Sequence, residues 1–312
     1  MRLLLVILSA ATAKRVEHVS PELSEPPPAN VTDINGKTVD LPFATSAEDA
    51  ASCVEAFASG ARAGSVGNHQ NPYSSHGEDM AALRRFGPLE PGSAWSAAYG
   101  HRRVFLEIGA FDGVTESNTI LLERCLGWRG VLVEANPQAW TSLKGAGRNH
   151  ARLVHAAPMC ANPNETSVVH MEVSGHTSAT IGSANEPRVY RVPVPCVSLT
   201  RLLLRALGSH AEGDSRMGPK PRVDFFSLDV ENTEDDVLAT LDFEAIDVAL
   251  LFVESFNRLC EAVCPKRDAV RARMAAAGYV LNPFEVSKSD VFLRPDLMPP
   301  ESARRILGSL RP

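Results

Sequence analysis

The chain has no basic surplus. Its 31 lysines and arginines face 37 aspartates and glutamates, a formal net charge of −6 at pH 7. That balance excludes a nucleic-acid polyanion as the main partner. No apolar run approaches the ~20 residues that a bilayer-spanning helix needs. No internal repeat is present, which excludes solenoids and propellers. Among the six cysteines, no second metal-spaced pair accompanies Cys260 and Cys264. That pair therefore reads as a disulfide rather than as half of a zinc site.

What is present supports one sizeable domain. The 312 residues are 44% apolar, enough for a core of about 240 residues behind an N-terminal extension. Residues 1–13, MRLLLVILSAATA, read as a signal peptide: Arg2 is a minimal n-region, Leu3 to Leu8 is apolar, and Ala11-Thr12-Ala13 is an A-x-A cleavage pattern. The acceptor sequons Asn30-Val31-Thr32 and Asn164-Glu165-Thr166 agree with a secretory-pathway address, Golgi or ER lumen or secreted, with an organelle or the cytoplasm as the alternative. Residues 14–70 read as a Pro-rich tether followed by a helical segment, Ala47 to Ala63, with Ser46 as its cap. Residues 71–312 form the main domain. Cys160 and Cys196 are expected to pair, and Cys125, on a helix's apolar face, is expected to be buried and free.

The organising stretch is Val104 to Glu134. Val104 to Ile108 is an apolar run suited to a buried parallel strand. It runs into Glu107-Ile108-Gly109-Ala110-Phe111-Asp112-Gly113, where Gly109 and Gly113 permit backbone angles that a Cβ would block. A helix is expected at Asn118 to Leu126, capped by Thr115 or Ser117 and stopped by Gly127. Gly130 to Val133 is a second strand, with Glu134 at its end. The unit sets a glycine turn beside a carboxylate at the strand C-termini, where open α/β sheets bind ligands. The turn has no glycine at position 111, and its acids Glu107 and Asp112 would repel a pyrophosphate. They suit S-adenosylmethionine, which carries ammonium and sulfonium charges and no phosphate. Glu134 would take its ribose hydroxyls. A dinucleotide oxidoreductase is the alternative that these residues leave open.

The stretch LEIGAFDGVTESNTILLERCLGWRGVLVEANP resembles the opening of the FkbM family of S-adenosylmethionine-dependent methyltransferases. Tyr73-Ser74-Ser75-His76-Gly77-Glu78-Asp79 resembles the family's upstream segment, and Asp224 to Glu231 its second signature. The resemblance covers roughly residues 73 to 293. It implies a doubly wound, mostly parallel seven-stranded Rossmann-like sheet with one antiparallel strand. It implies S-adenosyl-L-methionine bound by Glu107, Gly109, Ala110, Asp112, Gly113, Asn118, Glu134 and Asn136. Where the family pattern continues Asp-Val-Glu-Gly-x-Glu, this chain has Asp229-Val230-Glu231-Asn232-Thr233-Glu234. Asparagine tolerates a left-handed conformation, so the turn can survive.

Downstream, Asn136-Pro137 caps a helix whose Trp140 and Leu143 face inward, and Arg152 to Ala157 is the third strand. Residues 158–222 separate it from the fourth, which makes them an insertion with structure of its own. Within it, Ser167 to Val173 and the proline-interrupted Arg188 to Val197 read as strands, and Gly175 to Glu186 as a mobile loop. Such insertions commonly shape acceptor sites. Val223 to Val230 and Val248 to Val253 are further strands, ending in Asp229, Glu231 and Glu254. Asp229 and Glu231 are the catalytic candidates. A hydroxyl acceptor, on a glycan or another hydroxylated small molecule, needs a base or a metal, and these acids could serve as base, as Mg²⁺ or Mn²⁺ ligands, or only as a helix cap. A base is favoured over a metal. His155 reads as a packing residue. A non-catalytic trafficking or cargo-binding protein on the same scaffold is the competing reading, and the intact acids of the turn argue against it.

Overall fold

The computed structural model describes residues 17–19, 30–32, 38–40, 47–63, 74, 76–86, 103–161, 167–172, 191–211, 220–255, 265–282, 286, 288–298 and 304. The expected signal peptide, Ser46, Asn164, the 175–186 loop, Cys260 and Cys264 lie outside them.

Strands that are apolar on both faces must be covered on both faces. Twelve strands are described: β1 (Glu17–Val19), β2 (Asn30–Thr32), β3 (Thr38–Asp40), β4 (Val104–Ile108), β5 (Arg129–Glu134), β6 (Ala151–His155), β7 (Val168–Glu172), β8 (Arg191–Pro195), β9 (Arg222–Leu228), β10 (Asp247–Glu254), β11 (Val280–Asn282) and β12 (Ser289–Leu293). The helices are α1 (Ala47–Ala63), α2 (Glu78–Phe86), α3 (Ile120–Leu126), α4 (Pro137–Gly145), α5 (Leu199–Ala211), α6 (Glu234–Leu238) and α7 (Pro265–Ala276). The main sheet runs β1-β6-β5-β4-β9-β10-β12-β11. Seven of these strands form the doubly wound sheet, in which β12 is antiparallel to both its neighbours and the rest are parallel. The order reverses between β4 and β9, which places the topological crevice beside the glycine turn. One face packs Phe105, Leu132, Phe225 and Phe252, and the other Leu106, Val131, Phe226 and Leu251.

The eighth strand comes from the extension. Glu17–Val19 pairs antiparallel with β6, His18 opposite Val154. The segment read as a tether therefore supplies a strand, because the outer edge of β6 would otherwise leave backbone groups unpaired. The insertion folds as the β7–β8 hairpin and α5. Bridges from Ala157 to Cys196 and from Met159 to Ser198 hold the hairpin's base, and a Cys160–Cys196 disulfide closes it.

Two expectations change. Cys125 is not free: it is bonded to Cys53 across 72 residues. The reason is that α3 is not amphipathic in place. Its Ile120, Leu121, Glu123, Arg124 and Cys125 are all buried, because α1 lies against it with Val54 and Phe57 in the same core. The cap of α3 also differs. Thr119 occupies the N-cap without a side-chain cap bond, since Thr115 is spent on Asp112 and Ser117 on Glu107. Gly127 does stop the helix in a left-handed conformation, and Asn136 caps α4 through the backbone N–H of Gln138.

The two pairs are compatible with an oxidising compartment. Replacing both Cys53 and Cys125 by serine should lower unfolding stability by roughly 2–4 kcal/mol in denaturant titrations, because the bridge closes a long loop. An unchanged midpoint would show that the bridge does not hold α1 in place.

Candidate functional site

The sheet's carboxyl edge opens into a cavity of about 670 Å³, within the range of small-molecule sites. Its floor is the turn after β4. Gly109 has φ +84°, and a Cβ there would stand 1.8 Å from the carbonyl oxygen of Asp229. Only glycine lets the ends of β4 and β9 approach this closely. Gly113 has φ +78°, and its Cβ would meet Leu143 at 2.5 Å, so it is required for packing against α4. Between and beyond them Phe111 (φ 51°) and Glu116 (φ 56°) are also left-handed. Such a run of unfavourable angles persists only when its surroundings hold it.

Three carboxylates hold it. Glu134 accepts the backbone N–H of Phe111 at 2.7 Å and of Asn136 at 2.6 Å. Asp112, fully buried, accepts the N–H of Val114 and Thr115 and the hydroxyl of Thr115. Glu107 accepts the hydroxyls of Ser117 and Thr119 and the N–H of Asn118. Burial pushes the Glu107 carboxyl above its usual range, against the pull of Arg148 and of these hydrogen bonds. Burial likewise pushes Glu134 up to about 7, against the backbone N–H groups of Asn136, Phe111 and Ala135.

Of the residues expected to bind cofactor, Glu107, Gly109, Ala110, Asn118, Glu134 and Asn136 line the cavity. Asp112 and Gly113 shape the turn from beneath and are not among the lining residues. Asn118 donates its amide to Ser227 at 2.9 Å, while its side-chain oxygen has no hydrogen-bond partner.

The catalytic candidates Asp229 and Glu231 stand on the opposite wall with Glu254, and oxygens of the three lie within 4.8 Å of one another. Glu231 (φ 52°) and Asn232 (φ 75°) both take left-handed angles, so asparagine does fill the glycine position of the family turn. Asp229 faces the cavity but is crowded by protein behind it. Loss of hydration first, then repulsion by and a hydrogen bond with Glu254, then Glu231 and Glu234 hold its carboxyl well above the usual range. Glu254 is raised too, mainly by burial, and the two carboxyls share a hydrogen bond. Helix α2 closes one side: Glu78 is bonded to Ser74 and Ser289, and Glu78, His76 and Lys288 line the wall. Met159 and Met171 of the insertion line the other end. His155 is a packing residue, stacked on Trp140 at 5.3 Å and bonded to the Ala135 carbonyl.

Neither Lys288 nor Arg148 is marked by a motif. Arg148 follows a helix in a Gly-Ala-Gly-Arg-Asn stretch, and its side chain is wholly buried. Met159 and Met171 were hidden because an insertion's position says nothing of which side chains turn inward.

A strand-end carboxylate beside a glycine turn, on a sheet of this order, is the architecture of a class I methyltransferase fold. The family model described as "Methyltransferase FkbM domain" matches residues 107–281, more than half of the chain, and the chain belongs to that family. A search of curated proteins finds no significant match. Among solved structures, the chain is similar to an O-methyltransferase from Bacillus cereus in complex with SAH (12% identity, 82% of this chain and 94% of that one, TM-score 0.33). It is also similar to cofactor-bound Rv0187 from MTB (16% identity, 69% and 85%, TM-score 0.31). At these TM-scores neither likeness bears on the assignment, which rests on the family match and the sheet itself.

The buried carboxyl of Glu134 yields a stability test. Its folded value, about 7, exceeds its ordinary value of 4.5. Between those pH values the folded chain holds a proton that the unfolded chain has released, so stability falls as pH rises through the window and levels above it. Glu134→Gln should remove this component, gaining on wild type by roughly 3 kcal/mol across the window. Parallel pH profiles of the two proteins in urea titrations would contradict the assignment.

Proposed function

We propose that the chain methylates a hydroxyl oxygen, on a glycan or another hydroxylated acceptor, using S-adenosyl-L-methionine held against the glycine turn. The observation that carries this is the pairing, in one cavity, of Glu134 on the turn side with the Asp229–Glu254 pair on the other. The turn fits the cofactor. Glu134 offers a carboxylate to vicinal hydroxyls, Asn118 offers an unspent amide oxygen to an ammonium group, and the acids there exclude a pyrophosphate. When bound, the cofactor supplies an electrophilic methyl group on sulfonium.

The remaining work falls to the chain. Alignment of acceptor and methyl is the largest contribution, and the cavity walls supply it. A hydroxyl must also lose its proton as its oxygen is methylated. Asp229, with Glu254 beside it, takes the acceptor's proton, and the raised value of its carboxyl brings that basicity toward neutral pH. Glu231, at the mouth, accepts a further acceptor hydroxyl. Residues 1–13, the sequons at Asn30 and Asn164 and the two disulfides support a secretory compartment, and with it a glycan acceptor.

Asp229→Asn tests the role. Cofactor affinity should stay within about threefold by calorimetry, while turnover on a panel of sugars and hydroxylated metabolites falls about 10²–10⁴-fold. Joint loss of affinity and turnover would instead make Asp229 a cofactor ligand. Near-normal turnover in the folded variant would remove it from catalysis, and loss of wild-type activity in EDTA would make the acids metal ligands. Glu134→Ala should weaken cofactor binding about ten- to a hundredfold, and unchanged affinity would take Glu134 out of the site.

A further inference from the structure

Arg148 makes no contact with the cavity, yet its bonds converge on the two residues that face the cavity beside the turn. Its side chain is 0% exposed. It forms an ion pair with Glu123, which is equally buried, and donates to the Gly113 carbonyl at 2.6 Å. It also donates to the hydroxyls of Ser117 at 3.1 Å and Thr119 at 2.8 Å. Both hydroxyls then donate onward to the same oxygen, Oε2 of Glu107. The direct Arg148–Glu107 separation is 4.0 Å, so the two hydroxyls complete an ion pair that is not itself in contact. Each hydroxyl has one proton, and receiving a bond from a guanidinium commits that proton to the carboxylate.

The consequence falls on the other atoms. With Oε2 of Glu107 filled by two donors, Oε1 accepts only the N–H of Asn118 and keeps a lone pair. The Asn118 amide nitrogen is spent on Ser227, and its oxygen has no partner. Two acceptors with spare capacity thus sit on adjoining lining residues, and neither is a donor.

We propose that Arg148 is the positioning residue of the cofactor end: through Ser117 and Thr119 it fixes Glu107 and Asn118 so that Oε1 and Oδ1 jointly receive the ammonium group of the cofactor's amino-acid tail. This rests on the cofactor reading above. Lysine cannot substitute, because one ammonium cannot span the four acceptors that the planar fork reaches.

The test compares two probes by calorimetry. S-adenosylhomocysteine has the amino-acid tail; 5′-methylthioadenosine lacks it. In Arg148→Lys and in Thr119→Val, affinity for S-adenosylhomocysteine should fall about tenfold or more, and affinity for methylthioadenosine should change by less than about threefold. Thr119→Val keeps the side chain's shape and decides the matter if Arg148→Lys does not fold. Equal losses for both probes would mean that the turn as a whole has collapsed and would overturn the ammonium role. Unchanged binding of both would overturn the positioning role. A wild-type protein that binds neither probe would refute the cofactor reading itself, an outcome distinct from the other two.

Discussion

The carbonyl oxygen of Asp229 occupies the space where residue 109 would carry a Cβ. This one close approach joins the two halves of the site. The backbone N–H of Asp229 bonds to the Ile108 carbonyl, so the end of β9 is stitched to the end of β4 at the level of the turn. One side of that seam carries Gly109, Ala110 and Phe111, tied to Glu134. The other carries Asp229, Glu231 and, across β10, Glu254. Any side chain at 109 would separate the strands and with them the turn and Glu134 from Asp229, Glu231 and Glu254.

Such a seam brings carboxylates into a confined space, and each is stabilised differently. Asp112 is satisfied within its own turn. Glu134 collects backbone N–H groups from two loops. Glu107 accepts the hydroxyls of Ser117 and Thr119, which in turn accept from Arg148, whose charge is met by Glu123. A buried ion of this kind is costly unless every partner is present. The extension packs beside it: α1, bonded through Cys53, lies against α3, whose Glu123 and Arg124 are buried. The helix outside the family-matched segment therefore contributes to the environment that holds the turn.

The sequence was most legible where backbone chemistry dictates residue type. Continuous apolar runs marked β4, β5, β9 and β10, and Gly109, Gly127 and Asn136 marked turn, stop and cap. Those features are local, and each follows from one residue's conformational limits. Legibility failed where a residue's partner is distant in the chain. Cys125 looked like a core residue because its helix face is apolar; nothing near it in sequence announces Cys53. Thr115 and Ser117 looked like caps because they precede a helix, but buried carboxylates compete for the same hydroxyls and win. Arg148 has its counter-charge, Glu123, 25 residues away in the chain, so nothing local marks it.

The cavity's charge is a further constraint. Glu78, Glu116, Asp229, Glu231 and Glu254 line it together with Lys288 and His76, and burial together with Lys288 holds the His76 imidazole below its usual value despite Glu78. Among the described lining residues Lys288 is the one lysine. A phosphate or carboxylate placed ~5 Å from an ionised carboxylate meets about 3 kcal/mol of repulsion at an effective dielectric of about 20. A neutral hydroxyl meets no such cost, because ionised carboxylates are acceptors and hydroxyls are donors. Within the proposed function, the same charge that disfavours anions favours a sulfonium, so one set of acids selects a cationic donor and a neutral, hydroxyl-bearing acceptor.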